Sequence, residues 1–359
     1  MHITKESTAS GMGRMALIIV SVMALVATAC GTAESVDDPA DPGEGGASVT
    51  IVATTTIWGD VARNVVGDDG DVEVLTPIGA DPHDFQASSS QVAALYAADL
   101  VVVNGLGLEE GLLDILEAAE GDGVNVLEVA PLLDPIGFGV YDHDDEGEHD
   151  GDEHDACDPT LGHADDHDEE GDHDEEGDHD LEARSCDPHV WMDPLRVAEG
   201  ARLIAAALAE IAPDVDWMAR ADTYADGLNE ADDMIVAVLA GVADDDRIMV
   251  TNHDAFGYFA DRYGFEVVGV VIPGGSTLGD PSSRELAELV ETMEAEGVTV
   301  IFVETTQPSV LAEAVAAELG GAVEVVELHT GSVDEPGSGA DTVVGMLMAN
   351  AQRIAEALS

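Results

Sequence analysis

The chain has 359 residues, in which 76 acidic side chains against 11 basic ones give a formal net charge of -65. A nucleic-acid partner is all but excluded, because phosphate neutralisation needs a basic face and the sequence contains a single lysine. Since 45% of the residues are hydrophobic, most of the chain can still bury a core and is not a disordered acidic polymer.

The amino terminus has the pattern of a targeting signal. Basic residues precede an apolar run over 15–27, which is too short to span a bilayer but typical of a signal-peptide core. Small residues directly before Cys30 resemble the processing site of a bacterial lipoprotein. We therefore expect residues 1–30 to form the signal and Cys30 to be lipidated, the alternative being an ordinary signal peptide with an incidental cysteine. Residues 31–47, rich in Asp, Pro, Gly and Glu, predict a flexible tether.

From residue 48 onward, short β-branched runs alternate with helical patterns, which predicts a parallel sheet with helices on both faces. The predicted strands are 49–54, 72–76, 100–103 and 124–129, and the predicted helices are 58–66, 89–97 and 109–118. Together with the segment up to residue 214, they form a first α/β lobe over 48–214.

An acidic tract over residues 142–180 interrupts this alternation. It holds 21 acidic residues, no Lys or Arg, and seven interleaved histidines. With very few apolar residues it cannot fold alone, so we expect a disordered loop. The remaining 55 acidic residues indicate a general acidic coat that maintains solubility.

Helical patterns resume after the tract. Asp193 and Pro194 are suited to start a helix that runs to about Ile211. A second pattern over 215–242 would be about 40 Å long, enough to lie along two lobes. The alternation then returns over 243–359, a second α/β lobe. Its predicted strands are 248–251, 267–271, 298–303 and 323–327, and its predicted helices are 283–296, 309–319 and 341–358.

Two cysteines remain if Cys30 is lipidated. Cys157 and Cys186 flank most of the acidic tract, and outside the cytoplasm an even pair predicts a disulfide. Zinc ligation by the pair is the alternative, although no Cys-x-x-Cys spacing supports it.

Three histidines outside the tract lie on loops at strand ends or helix starts. They are His83, His189 and His253, and the first two each follow an Asp-Pro pair. Ligands of open α/β sheets bind beyond the carboxyl ends of the strands. Three neutral imidazoles from separate loops define a tetrahedral zinc site with one position remaining.

Further motifs accompany these histidines. They are Asn104-Gly105-Leu106-Gly107-Leu108-Glu109, the segment from His253 to Phe259, Phe302-Val303-Glu304, and the segment from Pro336 to Thr342. Over residues 48–359 the sequence resembles the metal-binding solute-binding proteins of bacterial ABC importers, the zinc- and manganese-binding group. The resemblance implies two lobes with parallel-type sheets, joined by one long rigid helix, with a metal cleft between them.

The resemblance also implies the ligands, which correspond to His83, His189 and His253. Manganese carriers tend to have a carboxylate at the position of His253, so the histidine favours Zn²⁺ over Mn²⁺, in agreement with a nitrogen-rich ligand set. The family's usual fourth ligand is an aspartate, but Gly331 stands at that position. Asp334, a water or a tract histidine could replace it.

Two other polar residues fall near the expected cleft. Glu304 ends a strand and is either an acceptor for an imidazole N–H or a solvated carboxylate. His329 stands where the family usually has an aromatic residue and is interpreted as structural, the alternative being a role as ligand.

Zinc-carrying members of the family commonly have a His-rich loop at the place of the tract. We interpret it as a low-affinity metal collector, the alternative being a solvated insert with incidental histidines. Its histidines are His143, His149, His154, His163, His167, His173 and His179.

The expected function is that of an extracytoplasmic zinc receptor, lipid-anchored to the cell membrane, that delivers Zn²⁺ to an ABC permease and its ATPase. We expect a monomer that performs no catalysis. One alternative is a zinc hydrolase or lyase that uses the open position, although no His-Glu-x-x-His helix is present. Another is a surface adhesin in which the metal is only structural.

Overall fold

Two four-stranded parallel sheets organise the protein, which is described by a computed structural model over residues 48–138, 157, 186–321 and 323–359. The predicted signal peptide with Cys30, the tether and all seven tract histidines lie outside the described residues.

The first sheet has the strand order β2-β1-β3-β4. Its strands are β1 (Val49–Ala53), β2 (Gly70–Val74), β3 (Leu100–Val103) and β4 (Val126–Glu128), all paired in parallel. The accompanying helices are α1 (Thr56–Val66), α2 (Ser89–Ala97) and α3 (Leu113–Gly121). The central strands β1 and β3 are almost wholly apolar and buried, as expected for a parallel sheet covered on both faces.

Two helices follow the first sheet. Asp193 caps α4 (Pro194–Ile211) by accepting the Leu195 N–H, with proline at the first helical position. Next comes α5 (Trp217–Leu239), whose 23 residues make it about 35 Å long. Its buried residues recur at helical spacing, so one stripe of the helix faces the core.

The second sheet repeats the design of the first, in the order β6-β5-β7-β8. Its strands are β5 (Ile248–Thr251), β6 (Glu266–Val270), β7 (Val300–Glu304) and β8 (Glu324–Leu328). Its helices are α6 (Gly257–Tyr263), α7 (Ser283–Glu296) and α8 (Val310–Glu318). No helix is predicted from the sequence at α6, whose seven residues are too few for a recognisable helical period.

The last helix, α9 (Val343–Ala357), packs against α5 and returns to the first lobe. The Val343 N–H at its start donates to the buried Asp60 carboxylate of α1 at 3.0 Å. One apolar core therefore extends from the first sheet through α4, α5 and α9 to the second sheet, with a smaller cluster on the far side of each sheet.

This architecture confirms the predicted fold class of two parallel-sheet α/β lobes connected by a long helix. None of the helices in the part of the chain that the structure describes has the length and apolar character needed to cross a bilayer.

Candidate metal centre

The three predicted ligand histidines come together between the lobes. His83 lies in the loop after β2, His189 precedes a short 3₁₀ turn before α4, and His253 follows the end of β5. All three are buried, with at most 3% of their surface exposed. One ring nitrogen of each lies within 4.8 Å of the other two, and the Nε2 atoms of His189 and His253 are 3.1 Å apart.

The imidazole rings are tilted so that nitrogens, rather than ring faces, converge. Their centroids are 4.9 to 5.6 Å apart, with interplanar angles of 52° to 88°. Within residues 48–138, 157, 186–321 and 323–359, this is the one cluster of three or more His, Cys, Asp or Glu side chains suited to a metal ion.

A carboxylate faces the Nδ1 atom of each of the three histidines. Glu110 Oε1 lies 3.5 Å from the Nδ1 of His83, and Asp187 Oδ1 lies 2.8 Å from that of His189. Glu304 Oε1 is in direct contact with the Nδ1 of His253. At His189 and His253 these close contacts fix the ring orientation and keep the proton on Nδ1, so that the Nε2 lone pairs are directed at the point where the three rings converge.

Burial and neighbouring charges act differently on these groups. Burial, together with the nearby His253 and His83, lowers the pKa of His189 well below its ordinary value and keeps it neutral. Burial also raises the pKa of Asp187 to about 7. Burial opposes ionisation of both His253 and Glu304, but the contact between them prevails, raising the pKa of the imidazole and lowering that of the carboxyl.

The buried Nε2 atom of His83 has no hydrogen-bond partner among the described residues. A buried polar atom left unpaired is costly unless it has another partner. A cation at the point where the three imidazoles converge would supply that partner, so the residues present fit a bound metal.

The position of the usual fourth ligand offers no side chain. A Cβ atom added at Gly331 would lie 2.9 Å from Pro82 Cδ, so the chain at this point passes too close to the His83 loop for a larger residue. Asp334 is not part of the cluster: its carboxylate accepts the Glu335 N–H at 2.8 Å, within its own loop.

His329 also lies outside the cluster. Its backbone N–H donates to the Asn350 side chain, and its backbone carbonyl accepts from the same side chain. This pairing ties the end of β8 to α9 and agrees with a structural role for His329.

A disulfide joins Cys157 to Cys186, so the pair does not offer free thiolates to a metal. Cys186 forms an isolated antiparallel β-bridge with Gly137. It directly precedes Asp187, whose backbone N–H donates to the Ile136 carbonyl at 2.8 Å. The disulfide therefore lies beside the residue that orients His189.

The sequence reasoning missed the carboxylates of Glu110 and Asp187. Asp187 had a signal, because it stands at the same place in an Asp-Pro-His motif as Asp81. Both aspartates accept the backbone N–H of the histidine two residues later, at 2.8 and 3.0 Å. No sequence signal pointed to Glu110, because it approaches His83 only when two separate loops fold together.

Fold and site together define a two-lobed metal-binding protein, in which histidines from both lobes meet in a buried centre. The sequence matches the family described as zinc-uptake complex component A, periplasmic, over residues 51–357, and the chain belongs to that family.

Similar proteins carry both zinc and manganese in their names. The manganese-binding lipoprotein MntA of Halalkalibacterium halodurans is 28% identical over 344 residues, covering 95% of this chain and 97% of MntA. The zinc-binding protein TroA of Treponema pallidum is 26% identical over 317 residues, covering 86% of this chain and 88% of TroA. A solved structure of periplasmic TroA superimposes with a TM-score of 0.68 at 25% identity, covering 87% of this chain and 99% of that one.

These matches confirm the resemblance to the metal-binding receptors of ABC importers. The relatives are named as binding proteins rather than as enzymes.

Proposed function

We propose that this chain captures Zn²⁺ outside the cytoplasm, between its two lobes, and delivers it to an ABC permease with its ATPase. The observation that carries the proposal is the convergence of three buried imidazoles from both lobes, each with its Nδ1 atom facing a carboxylate. This arrangement presents preoriented nitrogen ligands to a divalent cation.

The donor set supports zinc over manganese. All three ligands are imidazole nitrogens, which suit Zn²⁺, whereas Mn²⁺ favours carboxylate and water oxygens. The carboxylates of Asp187 and Glu304 contact the rings of His189 and His253. They therefore orient the imidazoles instead of binding the ion themselves. Mn²⁺ is the competing candidate, because one relative is named as manganese-binding. A titration with both metals shows which ion this chain prefers.

A water completes the tetrahedral coordination of the bound ion. Close packing of Gly331 against Pro82 and the hydrogen bond of Asp334 within its own loop support this assignment. A bound water suits a protein that captures and then releases its ion, because a ligand from the next carrier can replace the water during transfer.

Membrane attachment follows from the amino-terminal signal. Cys30 is the lipidated residue, and 31–47 is the tether that lets the monomeric receptor reach its permease. The name of the lipoprotein relative supports this anchor. The seven tract histidines act as a low-affinity collector that raises the local zinc concentration beside the cleft.

The hydrolase and adhesin alternatives gain no support. A hydrolase would need a general base near the open position, and the two buried carboxylates here are committed to ligand histidines.

Metal analysis with zinc and manganese titration tests the proposal. Wild-type protein should hold one tightly bound Zn²⁺ and prefer it to Mn²⁺, whereas His83→Ala should lose the tight site. His329→Ala, which removes a buried histidine outside the cluster, is the matched control and should keep the site. A variant lacking residues 142–180 should also keep it.

Two results would overturn the proposal. Tight zinc binding that survives His83→Ala would show that the cluster is not the site. Loss of tight binding on removing residues 142–180, with tight binding retained when Cys157 and Cys186 are both replaced by serine, would place the primary site in the tract.

A further inference from the structure

The carboxylate of Asp81 contacts both lobes. Its Oδ1 atom accepts the backbone N–H of the ligand His83 at 3.0 Å. Its Oδ2 atom accepts the hydroxyl of Thr277 at 2.5 Å and the side-chain amide of Gln307. Thr277 lies between β6 and α7, and Gln307 lies between β7 and α8, so both donors belong to the second lobe.

A second contact holds the same segment. The Gly79 N–H donates to the hydroxyl of Ser332, in the loop after β8, at 3.0 Å. The second lobe therefore forms hydrogen bonds with the segment just before His83 at two residues, Gly79 and Asp81.

The residue Gln307, which donates to Asp81, lies close in the chain to the partner of His253. Gln307 follows Glu304 by three residues, and the carboxylate of Glu304 contacts the ring of His253. One carboxylate thus connects the segment that carries a first-lobe ligand to the segment that orients a second-lobe ligand.

The carboxylate of Asp187, in the second Asp-Pro-His motif, does not make the cross-lobe contacts that the carboxylate of Asp81 makes. In the other Asp-Pro-His motif, one oxygen of Asp187 faces both the backbone and the ring of His189, within the first lobe. Asp81 makes the same backbone bond but directs its second oxygen across the cleft. Hydrogen bonds to a charged acceptor are stronger than neutral ones, and Thr277 is largely shielded from water, at 8% exposed.

We propose that Asp81 is a positioning residue that latches the His83 segment to the second lobe and so slows release of the captured ion. His83 cannot withdraw from the other two imidazoles while its own segment is bonded across the cleft. Opening the latch therefore precedes departure of the ion, which makes the latch a determinant of dissociation rather than of association. The inference rests on the proposed function of metal capture.

The double variant Thr277→Val with Gln307→Met tests the latch, because it removes both cross-cleft donors and keeps their shape and the bond from Asp81 to His83. Release of Zn²⁺ into a chelator should become roughly tenfold faster, as expected for losing hydrogen bonds to a charged group. The association rate and the one-to-one stoichiometry should stay unchanged.

Asp81→Asn tests the same latch from the other side. It should also speed release, and adding it to the double variant should have little further effect, because all three residues act through one contact. Asp84→Asn is the matched control: Asp84 is exposed, adjoins His83 and carries the same charge, and its substitution should leave the release rate unchanged.

Hydrogen exchange of residues 77–83 in the metal-free full-length protein provides a readout that needs no zinc. Exchange should rise in the double variant and in Asp81→Asn, but not in Asp84→Asn. Wild-type release and exchange rates in the double variant would overturn the latch, as would an equal effect of Asp84→Asn. If wild-type protein retains no Zn²⁺, the proposed function fails, and the exchange measurement alone decides on the latch.

Discussion

At the scale of single residues, the centre depends on pairs of a histidine and a carboxylate. The pairs of His189 with Asp187 and of His253 with Glu304 are almost fully buried, so each carboxylate acts on its imidazole with little screening by water. The histidines could be predicted from their loops and motifs. Their partners could not all be predicted, because the approach of Glu110 to His83 depends on tertiary packing.

The variant Glu304→Gln should weaken zinc binding by about 10-fold to 100-fold, the usual cost of losing a partner that orients a ligand histidine. The amide retains the size of the side chain but removes the charge facing the Nδ1 atom of His253. Competition titration against a chelator measures the change, and Glu324→Gln, at an exposed position of β8, serves as control. An unchanged affinity in Glu304→Gln would show that this contact does not orient the ligand.

An aspartate at position 331, where the resemblance implies a fourth ligand, should not tighten the site. In Gly331→Asp the new Cβ atom would meet Pro82, so we expect a loss of about 1 to 3 kcal/mol in the free energy of unfolding, typical of overpacking. Gly331→Ala should show a similar loss, which separates the steric effect from the carboxylate. Denaturant unfolding and zinc titration of both variants test this, and tighter binding by Gly331→Asp would refute it.

At the scale of elements, local patterns predict the existence of strands and helices better than their ends. The predicted strand 72–76 is found at Gly70–Val74, and the predicted helix 215–242 is found at Trp217–Leu239. The helix starts where the Asp216 side chain accepts the Ala219 N–H, a detail of capping that periodicity does not contain. The helix α6 escapes prediction because its aromatic residues are fixed by burial against the 3₁₀ turn Val190–Met192 and the core rather than by a helical period.

The contact between α1 and α9 gives a test at this scale. Asp60 of α1 accepts the Val343 N–H and the Tyr224 hydroxyl, joining three helices. Asp60→Ala leaves a buried N–H at the start of α9 without its acceptor, so the free energy of unfolding should fall by about 1 to 3 kcal/mol. Urea unfolding measures the loss, and Asp68→Ala, at an exposed position nearby, should change little. Equal stability of the two variants would contradict this role of Asp60.

At the scale of the whole molecule, the two lobes share one core and meet at the cluster of three histidines. The alternation of strands and helices made this architecture predictable, because each lobe repeats a local pattern. The cross-cleft contacts of Asp81 were not predictable, since they join residues about 200 positions apart in the chain.

The disulfide contributes at the same scale by closing a loop across a separation of 29 residues. In the chain-entropy view, replacing both cysteines by serine should lower the free energy of unfolding by about 3 to 4 kcal/mol. Denaturant unfolding of the wild type with and without a reductant, compared with the Cys157→Ser and Cys186→Ser double variant, measures this. A reductant that destabilises the double variant as much as the wild type would show that the effect does not come from this bond.

Zinc-edge anomalous diffraction from crystals of the zinc-loaded protein would locate the bound ion and its ligands. We predict one strong peak about 2.0 to 2.1 Å from the Nε2 atoms of His83, His189 and His253, with a water in the fourth position. A strongest peak elsewhere, or a carboxylate from the chain completing the coordination, would contradict the assignment.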